Sequence, residues 1–333
     1  MMKRPTRDDV AREAGVSGWT VSNVLNGRSA SITDETRRRV LKAAQTLRYQ
    51  PNNSARSLVT GQFSTIGFWM CFDYSQHRAH VLHRMQQQMK NSGFEIVIRD
   101  VERVLDQDPG FSKTFQLPVD GIITFDTPTA GIVFSRAYPS LSLPFVSMGA
   151  YRADGRDFVA VDLYSGAVDA ISHLIAGGRR RIVYLLQQVD KNWPREARQD
   201  AYEVTMAEAG LETEYLWTQE ISLLSSRRVV REYFEAGGKA DAIFCHNDDL
   251  AMGACRALYD LGMRVGSDVA LVGCDGIEET EYLACPLTTI VQPVEKMCAT
   301  AWEFLQNRIR NPDMPLQQMI LKPELAVRAS SQS

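Results

Sequence analysis

The sequence predicts an α/β core with buried parallel sheets, preceded by an all-α headpiece that carries a helix-turn-helix. Three observations support this. After Ser64, short apolar runs alternate with longer stretches of helical periodicity, the pattern of strands covered on both faces. Before residue 50, two short capped helices are separated by a glycine turn. Charge is also shared unevenly: residues 1–61 hold eleven Lys and Arg against five Asp and Glu, a net +6 that leaves −9 for the rest.

A chain of 333 residues is long for one compact domain, so several parts are expected. Hydrophobic residues at 44% and charged residues at 23% exclude disordered and fibrous classes. Lys3, Arg4 and Arg7 precede no apolar stretch, and no run is long enough to cross a bilayer, so a cytoplasmic protein without a membrane partner is expected. Cys71, Cys245, Cys255, Cys274, Cys285 and Cys298 never form CxxC pairs, which fits free thiols in a reducing compartment. A basic end on an acidic body is the distribution of a protein that touches a polyanion with one end. On charge alone, a solvated charged face gives the same tally.

Thr6 is placed to cap a first helix with Asp8 and Asp9 in its opening turn and Val10, Ala11 and Ala14 inward. Gly15 stops it. Ser17 then caps a second helix, where Val21, Val24 and Leu25 keep helical spacing. Asn26 and Gly27 end that helix, and Thr33 starts a third with Val40, Ala44 and Leu47 inward. Opposite the core, the second helix presents Gly18, Trp19, Ser22 and Asn23, with Trp19 and Asn23 one turn apart. Such a face suits the major groove.

The segments DVAREAGVS, TVSNVLN, LRYQPN and ARSL resemble the headpiece of the lactose repressor (LacI/GalR) family almost position for position. That resemblance implies operator DNA as a partner. It implies a DNA-contacting set of Thr6, Ser17, Gly18, Trp19, Thr20, Ser22 and Asn23, with base reading assigned to Gly18, Trp19 and Asn23. Asn23 suits adenine N6 and N7, whereas the apolar face of Trp19 suits a thymine methyl. The other reading of Trp19 is that it lies on the headpiece surface.

After Pro51, the stretch up to Gly61 reads as one marginal helix that folds only against a partner. The resemblance implies that two such hinge helices, from two protomers, pair in the minor groove. Leu58 would wedge at the operator centre, and Ala55 would allow close approach. An ordinary linker matches the composition but not the Pro and Gly placement.

In the core, strands are expected at Ile66–Trp69, Phe94–Ile98, Gly121–Thr124, Pro144–Ser147, Phe158–Val161, Arg181–Leu186, Asp241–Phe244 and Val269–Val272. Helices are expected at about Gln76–Asn91, Tyr164–Ala176, Arg195–Ala209, Arg227–Ala236 and Asp249–Leu261. Ligands of such sheets bind outside the carboxyl ends of strands.

HNDDLAMGACRALYDLGMRVGSDVALVGCDG, PLTTIVQP and PELAVR resemble the same family's core, which is similar to periplasmic sugar-binding proteins. The resemblance implies two α/β subdomains joined by three crossovers, with a small-molecule effector between them and a homodimer as the working unit. It divides the chain into a headpiece at 1–50, a hinge at 51–61, a first subdomain at 62–162 plus 294–321, and a second at 163–293 plus 322–333. It carries effector binding onto Arg198, Asn247, Asp275 and Gln292, with Trp193 and Tyr282 as aromatic walls. Cys71, Phe72, Phe125 and Ser147 are the positional candidates of the opposite wall. An arginine with carboxylate and amide groups suits the hydroxyls of a sugar, and a non-sugar co-repressor is the second reading. Two departures stand out. Arg198 is followed by Gln199, Asp200 and Ala201 before Tyr202, where the family has a glycine, and Cys274 stands where an aromatic is common. For Arg198 the competing reading is a surface ion pair, and for Asp248 a helix N-cap.

An enzyme is not expected, because GxSxG, GxGxxG, P-loop and HExxH patterns are absent, and no cofactor is called for. His77, His80 and His83 spread over more than one helix face, which argues against a metal site. A transport-type solute-binding protein would share the core but lack the basic headpiece. After Arg328 no C-terminal coiled coil is expected.

Overall fold

A computed structural model describes residues 5–25, 32–49, 62–71, 75–101, 118–128, 130, 143–153, 155–188 and 194–332. Ala55 and Leu58 of the expected hinge, and Phe72 and Trp193 of the expected cleft, lie outside the described residues. The chain divides into two compact units, Met1–Phe63 and Ser64–Ser333.

The headpiece consists of α1 (Arg7–Ala14), α2 (Gly18–Leu25) and α3 (Asp34–Thr46). Thr6 closes a capping box with Asp9: the Asp9 N–H donates to Thr6 Oγ1 at 3.3 Å, and the Thr6 N–H donates to Asp9 Oδ2 at 2.8 Å. Gly15 ends α1 in the left-handed region at φ 64°, where an L side chain is disfavoured. Its conformation turns the chain into α2 within three residues. Val10, Ala14, Val21, Val24, Val40 and Ala44 form the core of this unit. They come from all three helices, so no helix here buries its apolar face alone.

The larger unit runs β1 (Thr65–Met70), α4 (Gln76–Met89), β2 (Glu95–Asp100), β3 (Gly121–Phe125), β4 (Phe145–Gly149), β5 (Asp157–Val161), α5 (Leu163–Ala176), β6 (Ile182–Gln187) and α6 (Ala197–Glu208). It continues with β7 (Glu214–Thr218), α7 (Leu223–Glu235), β8 (Ala242–Cys245), α8 (Asp248–Asp260), β9 (Ala270–Asp275), β10 (Thr288–Val291), α9 (Val294–Arg310), β11 (Gln318–Leu321) and β12 (Glu324–Ala326). Two six-stranded sheets result, ordered β11-β5-β4-β3-β1-β2 and β12-β10-β9-β8-β6-β7. Every pairing is parallel except that of β10 with β12. The chain passes between the sheets at β5 to β6, at β10 to β11 and at β11 to β12. α9 packs on α4, β3, β4 and β5 of the first sheet. Arg308 near its end fixes that return, gripping Asp157 with Nε–Oδ2 at 2.9 Å and Nη2–Oδ1 at 2.8 Å.

Five segments differ from the strand and helix expectations. β7, β10 and β11 are strands that the apolar pattern did not mark, and α9 is a seventeen-residue helix that it passed over. β7 and β11 are edge strands with exposed residues, so neither shows the continuous apolar run of a central parallel strand. α7 begins at Leu223, ahead of the expected Arg227, because Ser222 caps it through a 3.1 Å bond from the Ser225 N–H.

Candidate DNA-reading face and effector cleft

In the headpiece, Ser17 caps α2: its Oγ accepts from the Thr20 N–H at 3.1 Å and lies 2.9 Å from Thr20 Oγ1. Thr6, Ser17 and Thr20 therefore set the helix starts through their hydroxyls. Gly18 sits close under α1, where a Cβ would meet Arg7 Nε at 3.0 Å and Asp8 Oδ1 at 3.2 Å. Trp19 is 67% exposed, which rejects packing on the headpiece surface. Ser22 and Asn23 are half-buried. α2 thus holds an exposed indole and, one turn later, a carboxamide that can donate and accept together.

In the core, parallel strands bring their carboxyl ends to one edge of each sheet, and the candidate effector residues collect there. Phe125 ends β3 and Ser147 lies in β4, both buried. Cys71 follows β1, where its thiol donates to Val101 O at 2.8 Å. Asp275 ends β9 at φ 130°, a strained conformation for a residue with a Cβ. Gln292 Nε2 donates to Asp275 Oδ1 at 2.8 Å.

Arg198 is buried, so its ion pair is not a surface one. Nε donates to Glu196 Oε1 at 2.6 Å, and Nη2 lies 2.5 Å from the same oxygen. Nη1 donates to His246 O, and Nη2 lies 3.0 Å from His246 Nε2. Because a guanidinium only donates, Nε2 accepts, which leaves the ring proton on Nδ1, 3.1 Å from Tyr184 Oη. Burial opposes the charge on Arg198, but Glu196, with Cys274 and Tyr184 adding to it, outweighs burial and holds the guanidinium well above its ordinary pKa. Glu196, His246 and Tyr184 were not singled out from the sequence, although Glu196 stands two residues before Arg198 and His246 directly before Asn247.

Asn247, and not Asp248, is the N-cap of α8, its Oδ1 accepting from the Leu250 N–H at 2.9 Å. Asp248 is the first helical residue and braces the second sheet. It accepts from the Gly276 N–H at 2.8 Å, the Ile277 N–H at 3.0 Å and Thr289 Oγ1 at 2.6 Å. Gly273 is required there, since a Cβ would lie 2.2 Å from Asp248 Oδ1. Tyr282, expected as a stacking wall, is 78% exposed at the end of a short 3-10 helix and does not join the buried cluster.

The two walls face each other. The Gln76 N–H of α4 donates to Asp249 Oδ2 of α8 at 3.3 Å. The charge of Arg198 acts on His77 and Asp126 of the first subdomain and on Asp275 of the second. Burial raises the pKa of Asp126, against Arg78 and a 2.7 Å bond from the Ala150 N–H. His80 accepts from Arg84 Nε at 3.0 Å and His83 bonds Gln87 at 2.9 Å, so the three histidines of α4 do not converge. No group of three His, Cys, Asp or Glu that could hold a metal occurs among the described residues.

Burial pushes Asp248 up to about 6, with Asp249 adding to it, and Asp275 well above the carboxylate range, with Asp248 adding to it. Folded pKa values above the unfolded ones mean that these carboxyls contribute stability fully below about pH 4; for Asp248 it is lost as pH rises through about 6, and for Asp275 as pH rises through its own raised pKa. His77, lowered to about 3, acts with the opposite sign between about pH 6.5 and 3. It is common to wild type and an Asp275→Asn variant, and cancels in their difference. Asp275→Asn is expected to raise the melting temperature relative to wild type at pH 8, with the gain shrinking toward pH 4. Differential scanning fluorimetry across that range checks it, and a pH-independent difference counts against the buried carboxylate.

Residues 6–52 match the family described as bacterial regulatory proteins, lacI family, and residues 171–331 match a periplasmic binding protein-like domain. The HTH-type transcriptional repressor PurR of Photobacterium profundum is 29% identical over 329 residues, covering 98% of each chain. The lac repressor dimer bound to operator and the anti-inducer ONPF has a TM-score of 0.83 at 22% identity, covering 99% of this chain and all of that one. A LacI family regulator from Enterococcus faecium with bound ribose has a TM-score of 0.70 at 21% identity, covering 80% of this chain and 98% of that one. A helix-turn-helix headpiece joined to a two-sheet binding core defines a DNA-binding transcriptional regulator. The chain carries a lacI-family DNA-binding domain and a periplasmic binding protein-like domain, and it is similar over nearly its whole length to repressors of that family. Among the described residues, no helix is long and apolar enough to cross a membrane.

Proposed function

We propose that this regulator is a cytoplasmic homodimer that represses genes of carbohydrate use and is released from a pseudo-palindromic operator by a small sugar-like effector. The observation that carries the effector half is the cluster of buried Arg198, Asp275 and Gln292 with half-buried Glu196 and His246 at the strand ends, polar groups gathered where α/β sheets bind ligands. A relative of the same fold holds ribose. In the DNA half, α2 presents Trp19 and Asn23 to the major groove, and the resemblance assigns Leu58 and Ala55 to the operator centre. Twofold protein symmetry then requires twofold operator symmetry.

Closure of the cleft around a sugar shifts one subdomain on the other, and linkage makes the effect reciprocal: operator weakens sugar binding by the factor by which sugar weakens operator binding. The test is fluorescence anisotropy of a labelled operator titrated with the chain, in the absence and presence of ribose, glucose and lactose. At least one sugar is expected to weaken operator binding by about 5–150-fold. A metabolite that tightens it instead would make the chain a co-repressor-activated regulator.

A further inference from the structure

His77, the second residue of α4, is 4% exposed, yet neither of its ring nitrogens has a hydrogen-bond partner among the described residues. Its ring packs 5.7 Å from that of Phe125, at the end of β3, and it feels the charge of Arg198 from the other subdomain. Buried polar atoms are almost always satisfied, and one that is not calls for a partner. Across the cleft, Glu196 Oε2 is also buried without a hydrogen-bond partner among the described residues. The Arg198 guanidinium and Asp126 Oδ1, by contrast, are engaged. Each nitrogen of the Arg198 guanidinium donates to Glu196 or His246, and Asp126 Oδ1 accepts from Ala150. Burial, with Arg78, His80 and Arg198 adding to it, takes the His77 pKa down to about 3, so the ring is a neutral donor and acceptor.

Resting on the cleft reading above, we infer that His77 is the first-subdomain residue that reads the effector, one ring nitrogen accepting from a hydroxyl and the other donating to a ligand oxygen, and that the effector is uncharged. Hydroxyls fit what is left over here, since each both donates and accepts. A phosphate or carboxylate would meet Glu196 and find the Arg198 donors already engaged, and the Arg78 guanidinium, 5.8 Å over the Phe125 ring, already acts on Asp126.

The experiment uses the full chain, with calorimetry and thermal shift for ribose, glucose and lactose against ribose 5-phosphate and glucose 6-phosphate. At least one neutral sugar should bind and its phosphorylated counterpart should not. His77→Leu is expected to raise the melting temperature of the unliganded chain, by removing two unpaired polar atoms, and to weaken sugar binding at least 10-fold. His77→Gln, which keeps a donor and an acceptor, should recover part of the affinity, and it decides the matter if His77→Leu does not fold. A lower melting temperature with unchanged affinity would make His77 a structural residue and overturn the inference. So would tighter binding of a sugar phosphate, or silence from every neutral sugar. Arg198→Lys separates the two levels. If it abolishes binding while both His77 variants bind as wild type, the cleft reading stands and His77 falls; if all three variants bind as wild type, the ligand sits elsewhere and both fall.

Discussion

Arg198→Ala is expected to destabilise the core by about 3–5 kcal/mol, the range measured when one partner of a buried ion pair is removed. The side chains of Arg198 and Glu196 are only 7% and 12% exposed, so the loss strands a carboxylate that water reaches poorly. It also removes the donors to His246 O and Nε2, on which the orientation of the imidazole depends. Arg198→Lys keeps the charge but not the planar fork, and should fall between the two. Urea denaturation of the two variants and wild type gives the comparison; an unchanged midpoint for Arg198→Ala at equal slope would show that the pair does not hold this wall. The same variant should lose all response to the effector, because Arg198 ties α6 to the end of β8.

The headpiece was almost fully legible in the sequence because its determinants are local. Thr6 and Asp9, Gly15, and Ser17 and Thr20 act over three residues or fewer, so spacing alone announces each helix end. The central strands were legible for a related reason: burial on both faces writes an apolar run such as Gly121–Phe125. The edge strands β7 and β11 were not, since half-exposure breaks the run. The cleft was legible only in part. Asp248 looked like a helix cap, but its partners Gly276, Ile277 and Thr289 lie 28, 29 and 41 residues away, and no local pattern reveals them. Glu196 and His246 acquire meaning only through the guanidinium they share, 48 residues from Arg198 in the case of His246. Spacing alone groups His77 with His80 and His83, whereas folding turns the first inward and ties the other two to Arg84 and Gln87.

The second large effect is expected at the DNA-reading face. Trp19 is 67% exposed and buries little against its own headpiece, so Trp19→Ala should leave the melting temperature unchanged. Asn23 is half-buried on the same helix and offers the donor and acceptor that an adenine edge requires. Each substitution is expected to cost about 1–3 kcal/mol in specific binding, roughly 5- to 150-fold, because a lost base contact is a lost discrimination. Binding to random duplex should hardly change, since phosphate contacts dominate it and the basic residues of the headpiece remain.

The most direct measurement is therefore the affinity of the full chain for a duplex selected from a random library, against a scrambled duplex, over a salt series, for wild type, Trp19→Ala and Asn23→Ala. A DNA-reading α2 predicts a palindromic selected site, preferred by wild type by at least about 10³-fold at physiological salt. In both variants that preference should shrink roughly 5- to 150-fold with the salt slope retained. Equal binding of selected and scrambled duplex by wild type, or a preference that survives both substitutions intact, would contradict it.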